Sequence, residues 1–173
     1  ADGKLDSVAR RGAAISSAAD KRRVDELRAS VDAVLVGGHT LLDEDPKLTV
    51  RSAELRAERL RKGLPENPAK VGVVTEIPAT IGRPGAVSHW RAADACGTNG
   101  GSPLQTFLST GPARRLLYTT ARTSAETVTW LQAAGAEVFV QAGEWIDLAA
   151  ILEALHALGV RRLLVEGGGT LLA

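Results

Sequence analysis

The sequence predicts an α/β fold built around a mostly parallel central sheet. Short apolar runs recur along the chain, at Ala33 to Val36, Val71 to Val74, Arg115 to Thr119 and Arg161 to Val165, with Val138 to Val140 a weaker fifth. Stretches with helical periodicity separate them. Runs this short, apolar on both faces, suit strands buried in a parallel sheet better than strands with one wet face. Strand and helix in alternation then require right-handed crossovers and a sandwich of helices about the sheet. The 173 residues, 45% hydrophobic and 24% charged, are enough for one domain with a real core and no need of disulfides.

Each element has its own signal. Ser17 followed by Asp20 resembles a capping box, after which Val24, Leu27 and Val31 recur on one helical face. Ser52 to Lys62 is a highly charged helix, expected to show a solvated outer face. Ser124 to Ala134 is a short helix ending at Gly135. Leu148, Ile151, Leu152, Leu155 and Leu158 make a clear apolar stripe, stopped by Gly159. Between Pro78 and Pro112 the chain is rich in Gly, Ser, Thr and Pro, and is expected to be a long surface loop within the domain.

Charge and composition exclude several classes of function. Lys plus Arg number 21 against 20 Asp plus Glu, a net charge of +1, and aromatic residues are only 3% of the chain. A nucleic-acid or membrane-surface protein would carry a basic excess or a one-signed stripe. Cys96 is the sole cysteine, so neither an intramolecular disulfide nor a Cys-rich zinc site is available. His39, His89 and His156 have no metal-ligand spacing, and no metal is expected. With no signal peptide and no apolar run of bilayer length, a cytoplasmic protein is the expectation.

Three segments could carry chemistry. Glu166-Gly167-Gly168-Gly169-Thr170-Leu171 directly follows a strand, so its backbone N–H groups can cradle a phosphate where a helix begins. The alternative is a tight turn that needs positive φ. Neither the Rossmann fingerprint nor the Walker lysine loop fits its spacing. Glu166, at the strand's carboxyl end, suits hydroxyl or amino partners; it could equally be a helix cap. Gly37-Gly38-His39-Thr40 follows another strand and runs on to Asp43-Glu44-Asp45-Pro46-Lys47-Leu48-Thr49-Val50-Arg51. Thr40 could cap a helix or donate to a phosphate. Arg51, apart from the helical charge run, could grip a phosphate with two hydrogen bonds, or be an ordinary surface arginine. The third segment is Ala1-Asp2-Gly3-Lys4-Leu5, unremarkable alone.

Taken in order, Asp-Gly-Lys, Val-Gly-Gly-x-Thr with Asp-Pro-x-Leu-Thr-Val-Arg, and Val-Glu-Gly-Gly-Gly-Thr-Leu resemble the pyrimidine reductase of riboflavin biosynthesis, a separate protein in some lineages and half of a deaminase–reductase in others. The resemblance spans nearly the whole chain outside the 78–112 loop. It implies a dihydrofolate-reductase-like three-layer sandwich, a homodimer, and NADPH bound across the carboxyl ends of the strands. It further implies reduction of the ribose of a ribosylamino (di)aminopyrimidine 5′-phosphate to the ribityl form. By motif, Thr40, Glu44, Thr75, Gly167, Gly168, Gly169, Thr170 and Leu171 fall where such enzymes hold the dinucleotide. Leu48, Arg51 and Glu166 fall where they hold the phosphosugar substrate. Asp2, Lys4 and Glu166 are the candidates for delivering a proton, and the motifs do not choose among them.

There are departures from the resemblance. Glu44 stands where the family more often has Asp, and Ala14 where bacterial bifunctional members often have Trp. One cysteine cannot supply the deaminase's zinc set. Against the family pattern the chain reads as a single reductase domain clipped at both ends, without the closing strands that commonly form the dimer contact. Two other readings stand beside the reductase: another NADPH-dependent reductase on the same scaffold, and a non-catalytic nucleotide-binding domain.

Overall fold

The computed structural model describes residues 17–81 and 104–167. Its helices are α1 (Ala18–Ser30), α2 (Ala53–Arg61), α3 (Gln105–Ser109), α4 (Ala125–Ala133) and α5 (Leu148–Ala157). The strands are β1 (Ala33–Gly37), β2 (Ala69–Val73), β3 (Arg115–Thr120), β4 (Glu137–Gln141) and β5 (Leu163–Val165). A π-helical turn, Thr40–Glu44, follows β1. All five strands pair in parallel, in the order β4-β3-β2-β1-β5.

Side-chain alternation splits the core into two layers. Val34, Val36 and Leu117 face one way, onto Leu131 of α4 and Phe107 of α3. Ala33, Leu35, Val71, Val73, Leu116 and Tyr118 face the other way, onto Ile151 and Leu155 of α5. Helices therefore cover both faces of the sheet, as the three-layer expectation required. Placing α4 and α5 on opposite faces is what right-handed crossovers demand when the chain reverses direction across the sheet. The chain lays down β2, β3 and β4 on one side of β1, then returns to place β5 on the other.

The expected strands are present, with edges shifted by a residue or two. β2 begins at Ala69, so it includes Lys70, a lysine with no exposed surface at all. Its amine donates to the carbonyls of Phe107 (3.0 Å) and Thr110 (2.6 Å), closing the end of α3. Burial lowers its pKa to about 8. Nothing in the sequence pattern announces a lysine inside the sheet.

Two helical expectations need correction, and the described flanks of one expected loop are more buried than a surface loop's. In α1 the capping box forms, with Ser17 Oγ accepting from Asp20 N at 3.1 Å and the Asp20 carboxylate accepting from Ser17 N at 3.0 Å. Val24 and Leu27 nevertheless remain 39% and 44% exposed, while Asp25 and Arg28 turn inward. The polar face turns inward because Asp25 accepts there from Arg51 N and Ser52 N, and Arg28 donates to Glu166 and to Thr49 O. In α2 the charged face is not wholly solvated. Arg59 is buried and donates to Ala29, Val31 and Pro65 carbonyls, satisfying the open end of α1. Finally, the described flanks of the expected surface loop are packed inside. Ile81, Leu104, Phe107 and Leu108 are buried, and α3 lies within the segment. Leu104, Phe107 and Leu108 have the i, i+3, i+4 spacing of one helical face, obscured by the glycines and prolines around them. Residues 82–103 of that segment, Cys96 and His89 among them, lie outside the described residues.

Candidate functional site at the β1–β5 switch point

The reversal of direction makes β1 and β5 neighbours that were laid down from opposite sides. Open α/β sheets bind ligands beyond the carboxyl ends of the strands at such a switch point, because the following loops diverge there and leave a crevice. Two of the three segments singled out in the sequence leave the sheet at this point. Gly37 ends β1 and Gly38 follows it, and Glu166 and Gly167 follow β5. Glu166 N donates to Leu35 O at 2.8 Å, which continues the β1–β5 ladder to the edge of the crevice.

The glycines differ in purpose. A Cβ on Gly38 would lie 2.9 Å from Val74 Cγ2, so this glycine lets the exits of β1 and β2 pack together. Gly167 has φ +70°, and a Cβ there would lie 3.1 Å from Thr40 Oγ1. A bare backbone and a threonine hydroxyl are thus set side by side, where any side chain at 167 would intrude. This is the kind of cradle a phosphate approaches through N–H groups. Thr40 opens the π turn and is half-buried, and Glu44 closes the turn and is exposed.

Glu166 does not stand alone. Arg28 of α1 donates Nε and Nη2 to its two carboxylate oxygens, at 2.7 and 2.6 Å. The pair is mostly shielded from solvent, with side-chain exposures of 11% for Arg28 and 22% for Glu166. Arg28 Nη1 also donates to Thr49 O at 3.2 Å. One guanidinium therefore joins α1, the exit of β5 and the segment that ends in Arg51. A carboxylate offers about four lone-pair positions, so Glu166 keeps acceptor capacity for a hydroxyl or amino group beyond its bond to Arg28.

The segment from Asp45 to Ser52 is irregular, but it is fastened at close intervals. The Asp45 carboxylate accepts from Thr106 N and Phe107 N at 2.7 and 2.8 Å. Val50 N donates to the buried Asn67 Oδ1 at 2.9 Å. Arg51 N and Ser52 N donate to the two oxygens of Asp25, at 2.6 and 2.7 Å. Leu48 has φ +51° and its side chain is fully buried in the core, so only its backbone is left to meet a ligand. Arg51 by contrast is exposed.

Thr75 lies at the same sheet edge, just past β2. Its carbonyl accepts from Thr120 Oγ1 at 2.8 Å and from Thr119 Oγ1 and Thr120 N, each at 3.3 Å. The structure thus brings Thr40, Gly167, Glu166 and the 45–51 segment together, with Glu44 and Thr75 further along the same edge. Asp2, Lys4, Gly168, Gly169, Thr170, Leu171 and Ala14 lie outside the described residues. Asp25, Arg28 and Asn67 escaped the reading of the sequence, and Asp45 entered it only as part of a motif, without its role in holding α3. The spacing of Asp25, Arg28 and Val31, three residues apart on one face of α1, was the available signal.

A parallel sheet whose strand order reverses at β1, with helices on both faces, defines the class: a doubly wound α/β domain. More narrowly, the chain belongs to the RibD C-terminal domain family, whose profile matches residues 1–173. It is 38% identical over 172 residues to the 2,5-diamino-6-ribosylamino-4(3H)-pyrimidinone 5′-phosphate reductase of Archaeoglobus fulgidus, covering 99% of this chain and 68% of that protein. Its identity to the Methanothermobacter thermautotrophicus protein of the same name is 33% over 171 residues, 98% of this chain and 64% of the relative. The chain thus spans about two thirds of these relatives' length.

Two solved structures share the fold. A pyrimidine reductase-like protein of Corynebacterium diphtheriae aligns with TM-score 0.61 at 20% identity, covering 94% of this chain and 60% of that one. A Thermotoga maritima diaminohydroxyphosphoribosylaminopyrimidine deaminase/5-amino-6-(5-phosphoribosylamino)uracil reductase aligns with TM-score 0.58 at 22% identity, over 96% of this chain and 36% of that one. The dihydrofolate-reductase-like α/β architecture expected from the sequence is the one observed. Among the described residues no helix is long and apolar enough to cross a membrane.

Proposed function

We propose that this chain is the reductase of riboflavin biosynthesis that converts the ribosyl group of a (di)aminopyrimidine ribosylamino 5′-phosphate to the ribityl form, using NADPH. The observation that carries this reading is the meeting of two motifs at the β1–β5 switch point, where Thr40 abuts the side-chain-free Gly167 and Glu166 is tied through Arg28 to the segment bearing Arg51. The names of the curated relatives point to the same substrate.

The residues present suit NADPH. The Gly167 backbone and the Thr40 hydroxyl offer a cradle for its phosphates, and by motif Gly168, Gly169, Thr170, Leu171, Glu44 and Thr75 belong to the same dinucleotide site. When bound, NADPH supplies the hydride; the protein's work is to bind and orient. Arg51 anchors the phosphate of the substrate, as a guanidinium does with two parallel hydrogen bonds. The backbone at Leu48 borders the substrate. Glu166, oriented by Arg28, accepts from substrate hydroxyl or amino groups. The proton donor is unassigned, with Asp2, Lys4 and Glu166 as its candidates. The same reading makes the enzyme a cytoplasmic homodimer.

Oxidation of NADPH, followed by loss of its near-ultraviolet absorbance, tests the proposal. The diamino and deaminated phosphosubstrates are supplied separately to the full-length protein. Turnover of either, strongly reduced in Arg51→Ala and Glu166→Ala, is the expected result. NADPH binding with turnover of neither would leave a different reductase or a non-catalytic nucleotide-binding domain.

A further inference from the structure

The backbone of Arg51 is held more firmly than that of an ordinary loop residue, while its side chain is left exposed. On one side Asp25, 6% exposed, accepts from Arg51 N at 2.6 Å and from Ser52 N at 2.7 Å. On the other side Arg56 Nη1 donates to Arg51 O at 2.7 Å and to Val50 O at 3.0 Å. Arg56 is itself held by Glu66 at 2.8 Å. Both polar groups of one peptide unit are thus gripped by charged side chains from two different helices. Ser52 already caps α2 through its hydroxyl, which accepts from Leu55 N at 3.2 Å, so starting that helix does not by itself require Asp25.

We propose that Asp25 and Arg56 are positioning residues that fix where the Arg51 guanidinium sits, and so set the affinity of this site for a phosphate monoester. The inference rests on the assignment of Arg51 as the substrate's phosphate anchor. The physical reason is entropic. An arginine on a free loop loses backbone and side-chain freedom when it binds, whereas one on a fixed backbone has only its side chain left to order. A charged acceptor is suited to the task because its bonds to N–H groups are shorter and stronger than neutral ones. Asp25 spends both carboxylate oxygens on the backbone and serves Arg51 without touching a ligand.

Two measurements test this, one of which does not depend on turnover. The first is titration of ribose 5-phosphate into the full-length protein while the Arg51 Nε–H resonance is observed. Asp25→Asn keeps the shape but can accept only one of the two bonds, and is expected to weaken binding about tenfold, because small misplacements of a gripping group cost that much or more. Arg56→Lys, which is less exposed to the risk of misfolding, is expected to act in the same direction.

The second is steady-state kinetics with the phosphosubstrate. KM should rise by a similar factor, with kcat and NADPH affinity nearly unchanged, and adding Asp25→Asn to Arg51→Ala should produce no further rise. Unchanged ribose 5-phosphate affinity in both variants overturns the inference, even if stability falls. So does a full additional rise in the double variant, since Asp25 would then act independently of Arg51. Absent turnover in the wild type overturns the proposed function alone, because the titration still decides whether Asp25 governs phosphate binding at Arg51.

Discussion

A methyl group at Gly72, in the middle of β2, would lie 2.6 Å from Leu41 Cδ2 and 2.7 Å from Leu117 Cδ2. Both leucines are fully buried, so neither can swing aside into solvent. Gly72→Ala is therefore expected to destabilise the fold by about 1–3 kcal/mol, read as a drop in midpoint on thermal denaturation. An unchanged midpoint would mean the core at this point is looser than its distances say. Gly167 calls for the opposite split between stability and function. It is exposed and in the left-handed region, so Gly167→Ala costs the fold about 1 kcal/mol in backbone strain, but it places a Cβ against Thr40 Oγ1. NADPH affinity, measured by fluorescence titration, is expected to fall about tenfold or more as the cradle fills. If affinity holds while stability falls, the glycine serves only its turn. At this scale the sequence exposed the residues at strand ends, Thr40, Glu166 and Gly167, because glycine after an apolar run is a local signal. It did not expose Arg28 or Asp25, whose partners lie far away in the chain at Glu166, Arg51 and Ser52.

Elements followed the same division between local and distant causes. The five strands could be found because parallel strands are apolar on both faces, and α4 and α5 ended where Gly135 and Gly159 adopt positive φ. α1 misled because its Val24 and Leu27 read as a core face, while the buried work falls to Asp25 and Arg28. Periodicity ranks residues by apolarity and is blind to a polar face that has partners waiting. α3 was hidden for a different reason. At five residues it is too short to hold itself, and it depends on groups remote in sequence at both ends. Asp45 accepts from its first amides, and the Lys70 amine donates to Phe107 O within it and Thr110 O just beyond. Removing the first of these, in Asp45→Ala, is expected to cost about 1–2 kcal/mol and to raise amide exchange at Thr106 and Phe107 before any other core position. Exchange rates at those amides equal to the wild type's would show that α3 is held by the packing of Leu104, Phe107 and Leu108 alone.

At the scale of the fold, the reversal of strand order at β1 brings the two glycine segments to one sheet edge, and Arg28 ties that edge to the segment carrying Arg51. The sheet that holds them also carries an ionisable group at its centre, so the stability of the fold should depend on pH in the alkaline range. Lys70 has its pKa lowered from 10.5 to about 8, first by burial and then by the nearby positive charge of Arg115, with Asp45 opposing. A lowered lysine means that the unfolded chain holds the proton more tightly than the folded one. Below pH 8 both states are protonated, and the cost of burying the ammonium is borne in full. From there up to the unfolded value of 10.5 the folded state has released its proton while the unfolded state still binds one, so the contribution of Lys70 to stability rises with pH. A neutral amine keeps two N–H groups, enough to go on donating to Phe107 O and Thr110 O. Lys70→Met removes the titration along with those two bonds. The difference in unfolding free energy between wild type and variant should therefore grow by on the order of 1–2 kcal/mol across that window, an amount reduced from the full shift by local relaxation. Urea denaturation of both proteins at pH values spanning the window measures it. A difference that stays constant would mean that the ammonium is stabilised in place by its two carbonyls and the Phe107 ring, 5.7 Å away, and that burial does not govern its charge.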